Sequence, residues 1–469
     1  FWYNSSTNIL YIRNEGNDAD IPIMELDQTN DTVEYFKSDS VRTTLIEYTD
    51  GDDALAIADG GALTVSTSLD MNGTELILDA DADTSITVDT DDRIDFKVGG
   101  TDRAYLTTNH VGAIINRQNA KPLIINGDMA IAQRGTSVTG ITASTMATID
   151  RMQTTLSGLG TWTQTQDTTV PTAKGFRKSL KMDVTTADAS PAAGDLCNIQ
   201  YKIEAQDLQM LKYGTSSAEA FTLRFHVRSP KTGTHIVHVY QNDGARHISQ
   251  AYTIDTADTY QEVIINIAGD TGGTINNDND IGLQIEFFLG AGSNFTSGTL
   301  ATSWAGYTGA NTAVGQVNCA DNTANNFFIT GIQMEVGEYN ATTIPPFQHE
   351  SFGDNLSRCQ RYFCKSYDYD IAPATSGNIN GSIATRNYAY TGDGSPFIHG
   401  DFPVTMRDNP TVTTFDSGGN SGKIGGPSGA SITATVYQIG MSGFNVLNSS
   451  GSSVSGGDYY VNFKAESEL

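Results

Sequence analysis

The stretch FTLRFHVR, residues 221–228, alternates apolar and polar side chains with a period of two. A β-strand directs successive side chains to opposite faces, so this stretch presents one apolar and one polar face. The same alternation recurs in VIINI, residues 263–267, and in IGLQIEFFL, residues 281–289. Strands of this kind are typical of two packed sheets that each bury one face. We therefore predict a jelly-roll β-sandwich over residues 121–348.

The composition of the 469-residue chain favours a mostly β fold. Only 17% of the residues are charged, 47 are glycine, and Thr, Ser, Asn and Asp are abundant. β-branched side chains suit the pleated surface of a sheet, whereas Gly, Asn and Asp suit tight turns. We expect a short helical insert in the sandwich, around residues 203–211, and few other helices.

Residues 1–120 carry only short apolar bursts, which recur about every ten residues between turns rich in Asp, Gly, Asn and Thr. No burst is long enough to build a thick core within one chain. Three chains wound together would bury such strands, which predicts an intertwined β shaft in an elongated homotrimer. An ordinary small β-sandwich is the alternative for this region.

Residues 349–367 have the spacing of an amphipathic helix, with Phe352, Cys359 and Phe363 on its apolar side. Three copies of this helix could pack about the axis of a trimer, or the helix could cap the sandwich of its own subunit. Residues 368–469 return to short strands and long Gly/Ser loops, which predicts a small distal β domain at the tip.

The formal net charge of −27 argues against one class of partner. An acidic surface without a Lys/Arg-rich run repels a phosphate backbone, so we expect no nucleic-acid ligand. The four cysteines include no Cys-x-x-Cys pair, which argues against zinc and redox sites and predicts reduced, apolar thiols. A run of about 18 apolar residues is absent, so no transmembrane helix is predicted.

Large aromatic side chains in loops are the candidate ligand-binding residues. An aromatic ring can stack on the C–H face of a sugar while neighbouring Asn, Asp and Gln side chains bind its hydroxyls. The candidates on this basis are Trp304, Tyr307, Tyr388, Tyr390, Phe397 and His399. Local packing or a contact between subunits is the alternative role for each, whereas Trp162 is expected inside the core.

The usual catalytic motifs are missing from the sequence. It has neither a phosphate-binding Gly-x-x-x-x-Gly-Lys loop nor a His-Glu-x-x-His motif, and its seven histidines are dispersed. GPSGA, residues 426–430, has alanine where a nucleophile elbow needs its second glycine. We therefore predict that the protein is not an enzyme, although its 54 acidic residues leave a pair of glycosidase carboxylates open.

Several segments carry a resemblance to a known family. They are residues 124–135 with 149–151, residues 221–229, residues 329–337, residues 359–363 and residues 463–469. In this order they resemble the carbohydrate-binding-like jelly roll, the following helix and the terminal strand of bacteriophage tail fibres, which bind receptors. Residues 1–4 and 96–103 are similar to shaft repeats in tail fibres of phages that infect aquatic bacteria.

The resemblance implies a structural protein of the virion, placed in the phage tail and assembled in the host cytoplasm. It implies a homotrimer that joins other tail proteins through a region upstream of Phe1 and attaches to a bacterial surface glycan or an outer-membrane receptor. No cofactor is implied, but the first strand of related jelly rolls often helps to hold a structural Ca²⁺, which makes Asp128 the candidate metal ligand. The alternatives are a polysaccharide-degrading tailspike and a capsid or collar fibre without a receptor.

Overall fold

The structure, a computed structural model, divides by its contacts into two compact units, Phe1–Ala113 and Ile114–Leu469. Strands make up most of the regular structure, so the predicted mostly β fold is confirmed. The helices within the described residues lack the combination of length and apolar character that crossing a membrane requires. The described residues are 2–6, 9–13, 20–27, 32–36, 76–78, 80, 84–90, 93–107, 110–113, 121–387, 397–448 and 457–469.

The first unit contains two antiparallel sheets in which each strand pairs with its neighbours along the chain. The four-stranded sheet comprises β1 (Trp2–Asn4), β2 (Ile9–Arg13), β3 (Asp20–Asp27) and β4 (Thr32–Phe36). The five-stranded sheet comprises β5 (Leu76–Ile77), β6 (Ser85–Thr90), β7 (Arg93–Val98), β8 (Thr101–Thr107) and β9 (His110–Ala113). This pairing lies within one chain, and the intertwining of three chains stays a prediction.

One face of the five-stranded sheet is apolar but exposed. Leu76, Ile86 and Phe96 are successive cross-strand partners, and Ile94 and Val98 extend the same face along β7. The exposed fractions of Ile94 and Val98 are 40% and 51%. Exposed apolar patches mark interaction surfaces in many proteins. We call these five side chains the apolar face.

The second unit begins with a sandwich of two antiparallel sheets. Its strands are β10 (Ser137–Ile141), β11 (Gln153–Ser157), β12 (Thr161–Asp167), β13 (Ser179–Thr186), β14 (Leu196–Glu204), β15 (Phe221–Arg228), β16 (Gly233–Gln241), β17 (Arg246–Ile254), β18 (Gln261–Ile267), β19 (Ile281–Ala291), β20 (Ala305–Gly306) and β21 (Asn326–Val336). Sheet I has the order β10-β12-β13-β21-β15-β18, and sheet II has the order β11-β14-β19-β16-β17-β20. The chain crosses repeatedly between the two sheets, as it does in a jelly roll.

The core between sheets I and II follows the alternation in the sequence. The apolar positions of β15 are fully buried, and the ring of Phe225 packs edge-on against Phe287 of β19 with 5.0 Å between centroids. Trp162 is also fully buried, as predicted. Each large apolar side chain buried in this way stabilises the fold by about 1.5–3 kcal/mol.

Several short helical segments accompany the sandwich. A 3-10 helix, Ala205–Leu211, lies where the helical insert was predicted. Helix α1 (Ser293–Thr296) lies in the long connection between β19 and β21. Residues of that connection pack on the outer face of sheet II, where Ile236, Phe288 and Ala313 form a small separate core. The connection therefore covers part of sheet II.

The helix predicted within residues 349–367 is shorter than expected. Helix α2 spans Phe352–Gln360, and the Ser351 side chain caps its first turn. Phe363–Lys365 form strand β22 instead of a further helical turn, because they pair with a strand about a hundred residues later in the chain. Hydrogen bonds to that distant strand outweigh the local helical spacing.

Helix α2 lies on the sandwich of its own subunit. Cys359 packs with Ile125 and Ile131 in a small apolar cluster. Arg358 Nη2 donates a hydrogen bond of 2.6 Å to the Pro122 carbonyl. Within one chain the helix thus caps its own sandwich, and the packing of three copies about a trimer axis stays a prediction. All four cysteines are buried and free, as the sequence predicted.

The remaining strands form an eight-stranded C-terminal sheet. Besides β22 they are β23 (Ile383–Asn387), β24 (Phe397–Asp401), β25 (Thr411–Phe415), β26 (Lys423–Gly425), β27 (Ser431–Tyr437), β28 (Gly443–Asn448) and β29 (Gly457–Glu466). β29 pairs with β22, β23, β25 and β26. The strand predicted to close the chain is therefore the centre of this domain. Its core contains Phe444, Tyr459 and Phe463.

Three of the segments that carry the family resemblance meet where the sandwich joins the C-terminal domain. Arg134 and Arg151 of the sandwich, both almost fully buried, form ion pairs with Glu468. The Arg134 guanidinium lies 3.8 Å from the centroid of the Phe363 ring, and the Arg151 guanidinium lies 3.5 Å from that of Tyr362. These motif residues therefore have a shared structural role, which is to hold the two domains together.

A second buried carboxylate extends this contact. Glu204, at the end of β14, accepts a 2.6 Å hydrogen bond from the Tyr362 hydroxyl and pairs with Arg361 at 2.8 Å. Burial raises the pKa of the Glu204 carboxyl, but hydrogen bonds from Arg361 and Tyr362 outweigh it and bring that pKa below its ordinary value. We call the set the junction network; its members are Arg134, Arg151, Glu204, Arg361, Tyr362 and Glu468.

Candidate functional site

The outer face of sheet II carries two polar rows that run across neighbouring strands. Alternate residues of a strand share one face, so the two rows lie side by side. The first row consists of the cross-strand partners Gln200, Glu286 and His238. The second consists of Lys202, Gln284, Tyr240 and His247. We call these seven side chains the polar face.

Hydrogen bonds connect the first row into a chain. Gln200 Nε2 donates to Glu286 Oε1 at 2.6 Å, and His238 Nδ1 lies 2.9 Å from Glu286 Oε2. His238 Nε2 lies 3.2 Å from His247 Nδ1. The Thr308 amide completes the chain by donating to His247 Nε2 at 3.4 Å.

The direction of this chain determines the tautomers of both histidines. The Thr308 amide can only donate, so His247 Nε2 accepts and the His247 ring proton lies on Nδ1. That proton points to His238 Nε2, and the proton on His238 Nδ1 then reaches the Glu286 carboxylate. Burial, with a smaller contribution from His238, lowers the pKa of His247 to about 4 and keeps its ring neutral. The polar face therefore holds donors and acceptors in fixed directions.

Tyr307 extends over the polar face from the connection between β19 and β21. β20 pairs with β17, and the Tyr307 amide donates a 2.9 Å hydrogen bond to the Ala245 carbonyl. The Tyr307 ring packs edge-on against Tyr240 and His247, with 5.2 Å between centroids in both cases. Tyr307 nevertheless stays 46% exposed. An accessible aromatic ring thus stands beside oriented polar groups.

Ser249, His238 and Glu286 lie next to one another, which invites comparison with a nucleophile, base and acid. Ser249 is the cross-strand partner of His238. Its hydroxyl, however, donates to the Thr312 carbonyl at 2.7 Å, and the side chain is fully buried. A nucleophile needs a base within hydrogen-bonding distance and an open approach for the substrate. In this arrangement Ser249 has neither.

The chemistry of the polar face suits a ligand with many hydroxyl groups. Tyr307 and Tyr240 offer ring surface for C–H groups. Gln284 supplies both a donor and an acceptor, the Glu286 carboxylate accepts, and the Lys202 ammonium donates. A sugar hydroxyl both donates and accepts, so it can use each of these partners.

Comparison with known proteins yields structural neighbours only. No protein-family model matches the chain, and no curated protein sequence matches it either. The enzymatically active domain of tailspike protein 4 from bacteriophage CBA120 is 14% identical, with a TM-score of 0.23 over 46% of this chain and 21% of that one. This chain therefore spans about a fifth of the length of the tailspike domain.

Two carbohydrate-binding domains are also among the neighbours. The N-terminal cellulose-binding domain of β-1,4-glucanase C from Cellulomonas fimi is 13% identical, with a TM-score of 0.24 over 47% of this chain and 100% of that one. The family 11 carbohydrate-binding module from Clostridium thermocellum, in complex with a mixed-linked tetrasaccharide, is 10% identical, with a TM-score of 0.21 over 45% of this chain and 94% of that one.

The structure separates the two aromatic residues predicted in the loop of the sandwich. Tyr307 stands at the polar face. Trp304 packs edge-on against Tyr213 with 5.6 Å between centroids, and its indole nitrogen donates to the Ala268 carbonyl at 2.6 Å. Trp304 therefore takes the packing role that was its alternative.

The other predicted ligand-binding residues belong to the C-terminal domain. Tyr388 and Tyr390 lie outside the described residues, and Phe397 is the first residue of β24. His399 is exposed on β24, with Nδ1 2.8 Å from Asn445 Oδ1. That hydrogen bond raises the pKa of His399. His399 lies in the C-terminal domain and is not part of the polar face.

Asp128 serves as a hydrogen-bond acceptor in a turn. Its Oδ1 atom accepts from the Ala130 amide at 3.4 Å and from Asn355 Nδ2 of helix α2 at 3.3 Å. Calcium takes about six to eight oxygen ligands, several of them carboxylates. Within the described part of the chain, no three His, Cys, Asp or Glu side chains converge as a metal site. The described side chains around Asp128 do not by themselves form a Ca²⁺ site, and Asp128 as a ligand of a structural Ca²⁺ stays a prediction.

Sequence reasoning missed most of the polar face. His238 and Tyr240 were visible as alternate polar or amphipathic positions in HIVHVY, residues 235–240. His235 and His238 lie on opposite faces of β16, since His235 stacks on the core residue Tyr252 while His238 contacts Glu286. The sequence therefore showed which residues lie on the polar side of each strand. It did not show which residues of neighbouring strands are paired.

Proposed function

We propose that this chain is a bacteriophage tail-fibre protein that attaches the virion to a bacterial surface by binding a glycan at the polar face. The observation that carries the proposal is the exposed Tyr307 ring, which stands beside oriented polar groups on an otherwise regular sheet. The family resemblance of the sequence supplies the phage tail as the setting. Several fibres per virion would convert weak binding at each site into useful avidity.

The proposed contacts divide between the two tyrosines and the polar rows. One sugar ring stacks on Tyr307, and its hydroxyls reach Gln284 and Glu286. Gln200 and His238 hydrogen-bond the Glu286 carboxylate and fix its orientation, so the carboxylate does not have to reorganise when the ligand binds. Lys202 Nζ donates to the Leu469 backbone oxygen at 2.8 Å and keeps two further protons for a neighbouring sugar.

Replacing Tyr307 with alanine is expected to weaken glycan binding at least about tenfold, which corresponds to roughly 1.4 kcal/mol. The variant removes the stacking surface but no hydrogen bond of the polar rows. A panel of purified bacterial surface polysaccharides, screened on an array, would identify a ligand for calorimetry. Glu286→Gln should also weaken binding, because it removes the charged acceptor while keeping the shape of the side chain.

Phe352→Ala provides the control for this experiment. Phe352 is an exposed aromatic residue of helix α2, with 52% of its surface accessible. Its removal should leave the affinity unchanged. Equal affinities of Tyr307→Ala and the unaltered protein would contradict the placement of the glycan at the polar face.

We propose further that three copies associate through the apolar face of the five-stranded sheet. Ile94 and Val98 lie on that face on either side of Phe96 and are exposed within a single chain. Burying apolar surface contributes about 25 cal/mol per Å², so several such side chains from three chains supply a strong driving force. The apolar side of this sheet faces solvent in a single chain. Association of three chains through that side would bury it.

The double variant Ile94→Glu, Val98→Glu is expected to shift the protein from a trimer toward single chains, because charges would have to be buried at the interface. Light scattering at micromolar concentration would measure the mass directly. Ile379→Glu, at a site of similar exposure in the C-terminal domain, should leave the mass unchanged. A monomeric unaltered protein would refute the trimer.

We propose that the chain binds the glycan without cleaving it. The buried hydroxyl of Ser249 and its bond to a backbone carbonyl support this view for the polar face. Incubation with the bound polysaccharide should leave its length unchanged on a sizing column. Shortened products would favour the alternative function, a polysaccharide-degrading tailspike.

A further inference from the structure

A cavity of about 410 Å³ lies on the other side of the sandwich, at the outer face of sheet I. It is bounded by β15, by residues 169–174 of the connection from β12 to β13, and by residues 258–262 at the start of β18. Its volume falls within the range of about 300–1,000 Å³ that is usual for small-molecule sites. The polar face belongs to sheet II, so the two sites are separate.

His226 of β15 lines this cavity and is almost completely buried, with 2% of its surface exposed. Neither of its ring nitrogens has a hydrogen-bond partner among the described residues. The Nε2 atom lies 3.9 Å from Glu262 Oε1, which is too far for a hydrogen bond. A buried polar group without a partner destabilises a protein by about 1–3 kcal/mol, so a ligand that hydrogen-bonds the ring would recover that loss.

The charged residues of the cavity balance one another. Arg228 Nη2 lies 2.9 Å from Asp258 Oδ1, and Lys174 Nζ lies 3.6 Å from Glu262 Oε2. An anionic ligand would have to compete with the two carboxylates, and a cationic ligand with the two basic groups. A neutral ligand meets donors and acceptors of both kinds without disturbing either pair.

The remaining walls are suited to a sugar or a similar polyol. Pro171 and the ring of Tyr260 supply apolar surface, and the Tyr260 hydroxyl is fixed by donating to the Thr169 carbonyl at 2.7 Å. Each ligand hydroxyl can donate and accept at once. Burial lowers the pKa of His226 to about 4, so the ring is neutral at pH 7 and offers one donor and one acceptor.

We propose that this cavity is a second binding site, which takes a single neutral sugar residue or polyol and hydrogen-bonds it through His226. The site is independent of the proposed glycan at the polar face. It would let one subunit hold two parts of a surface polymer, or two polymers, on opposite sides of the sandwich.

Saturation-transfer NMR with neutral monosaccharides (glucose, galactose and N-acetylglucosamine) tests this proposal, with glucuronate and glucosamine as charged comparisons. We expect at least one neutral sugar to bind with a millimolar Kd, and the charged sugars to bind more weakly. His226→Leu should weaken that binding at least fivefold and still fold, because it removes a buried group without a partner. Lys174→Ala, at the exposed mouth of the cavity, should also weaken it.

Tyr307→Ala distinguishes the two sites. Neutral-sugar binding that survives Tyr307→Ala but not His226→Leu supports the cavity, whatever the fate of the polar face. Binding that is lost in Tyr307→Ala and kept in His226→Leu places the sugar at the polar face and overturns the cavity proposal. Binding of glucuronate alone, or no binding of any monosaccharide to the unaltered protein, overturns it as well.

Discussion

Replacing Arg151 with alanine is expected to lower the free energy of unfolding of the second unit by about 3–5 kcal/mol. The side chain is 1% exposed, pairs with Glu468, and donates a 2.7 Å hydrogen bond to the Lys202 carbonyl. Its guanidinium also lies on the Tyr362 ring. Burial raises the pKa of the Glu468 carboxyl, but Arg151 and Arg134 outweigh it and hold that pKa below its ordinary value. In the alanine variant this buried carboxylate keeps only one of its two arginine partners, Arg134.

Urea unfolding monitored by circular dichroism would measure the change. Arg386→Ala is the matched control, because Arg386 pairs with Asp458 at 3.1 Å but both side chains are more than half exposed. An exposed pair contributes about 0–1 kcal/mol, so this control should be nearly neutral. Arg151→Met combined with Glu468→Leu removes both charges and should recover part of the loss. Equal stabilities of Arg151→Ala and Arg386→Ala would show that the junction network contributes no more to stability than an exposed ion pair does.

Acidification from pH 6.5 to pH 5 is expected to destabilise the sandwich strongly. His226, His235 and His247 are all buried, and burial is the main cause that lowers the pKa of each to about 4 from an ordinary value of 6.5. Above pH 6.5 these rings are neutral in both the folded and the unfolded chain. Below it the unfolded chain takes up protons that the folded chain refuses until about pH 4, so stability falls as the pH falls.

The expected slope is up to about 1.4 kcal/mol per pH unit for each histidine, or about 4 kcal/mol per unit for the three together. A domain with a total stability of about 5–15 kcal/mol would lose much of it within this window. Carboxylates such as Glu204 and Glu468 lose their own contribution only at lower pH, because their pKa values lie below the ordinary 4.5. These two carboxylates therefore contribute little to the slope between pH 6.5 and pH 5.

Thermal unfolding at several pH values, with and without His226→Leu, would test this expectation. The variant removes one of the three histidines that take up a proton on unfolding, so the dependence of stability on pH should become about a third less steep. His399→Gln is the control, since His399 is exposed and its pKa is raised rather than lowered. A pH-independent melting temperature between pH 6.5 and 5 would contradict the assignment of neutral, buried rings.

Local pattern was sufficient for the strands of the sandwich and insufficient for helix α2. The period of two in β15 is a property of neighbouring residues, and every apolar position in it is buried. Phe363 continues the helical spacing of residues 352–360 equally well. Its partner in the structure is Glu466, about a hundred residues away, and that long-range hydrogen-bond pattern makes it a strand residue. Spacing within a short segment contains no information about such a partner.

The same limit explains which parts of the candidate site were predictable. The criterion of a large aromatic residue in a Gly- and Thr-rich loop selected Tyr307, but it selected Trp304, three residues earlier, equally well. Whether such a ring packs or stays exposed depends on the strands beneath it. His238 and Glu286 are 48 positions apart and meet only because β16 and β19 pair in one particular register. The polar face is therefore a product of sheet topology, which single-strand patterns do not specify.

The junction network also has a consequence for the synthesis of the protein. Arg151 leaves the ribosome 317 residues before Glu468, its ion-pair partner. Glu468 follows the end of β21, the last strand of the sandwich, by 132 residues, so at about 5–20 residues per second roughly 7–26 s pass in which the complete sandwich lacks the carboxylate that pairs with Arg151. We expect the nascent sandwich to stay loosely packed during this time. Chains that stop before Glu468 should then be cleaved by proteases more readily than chains that contain it.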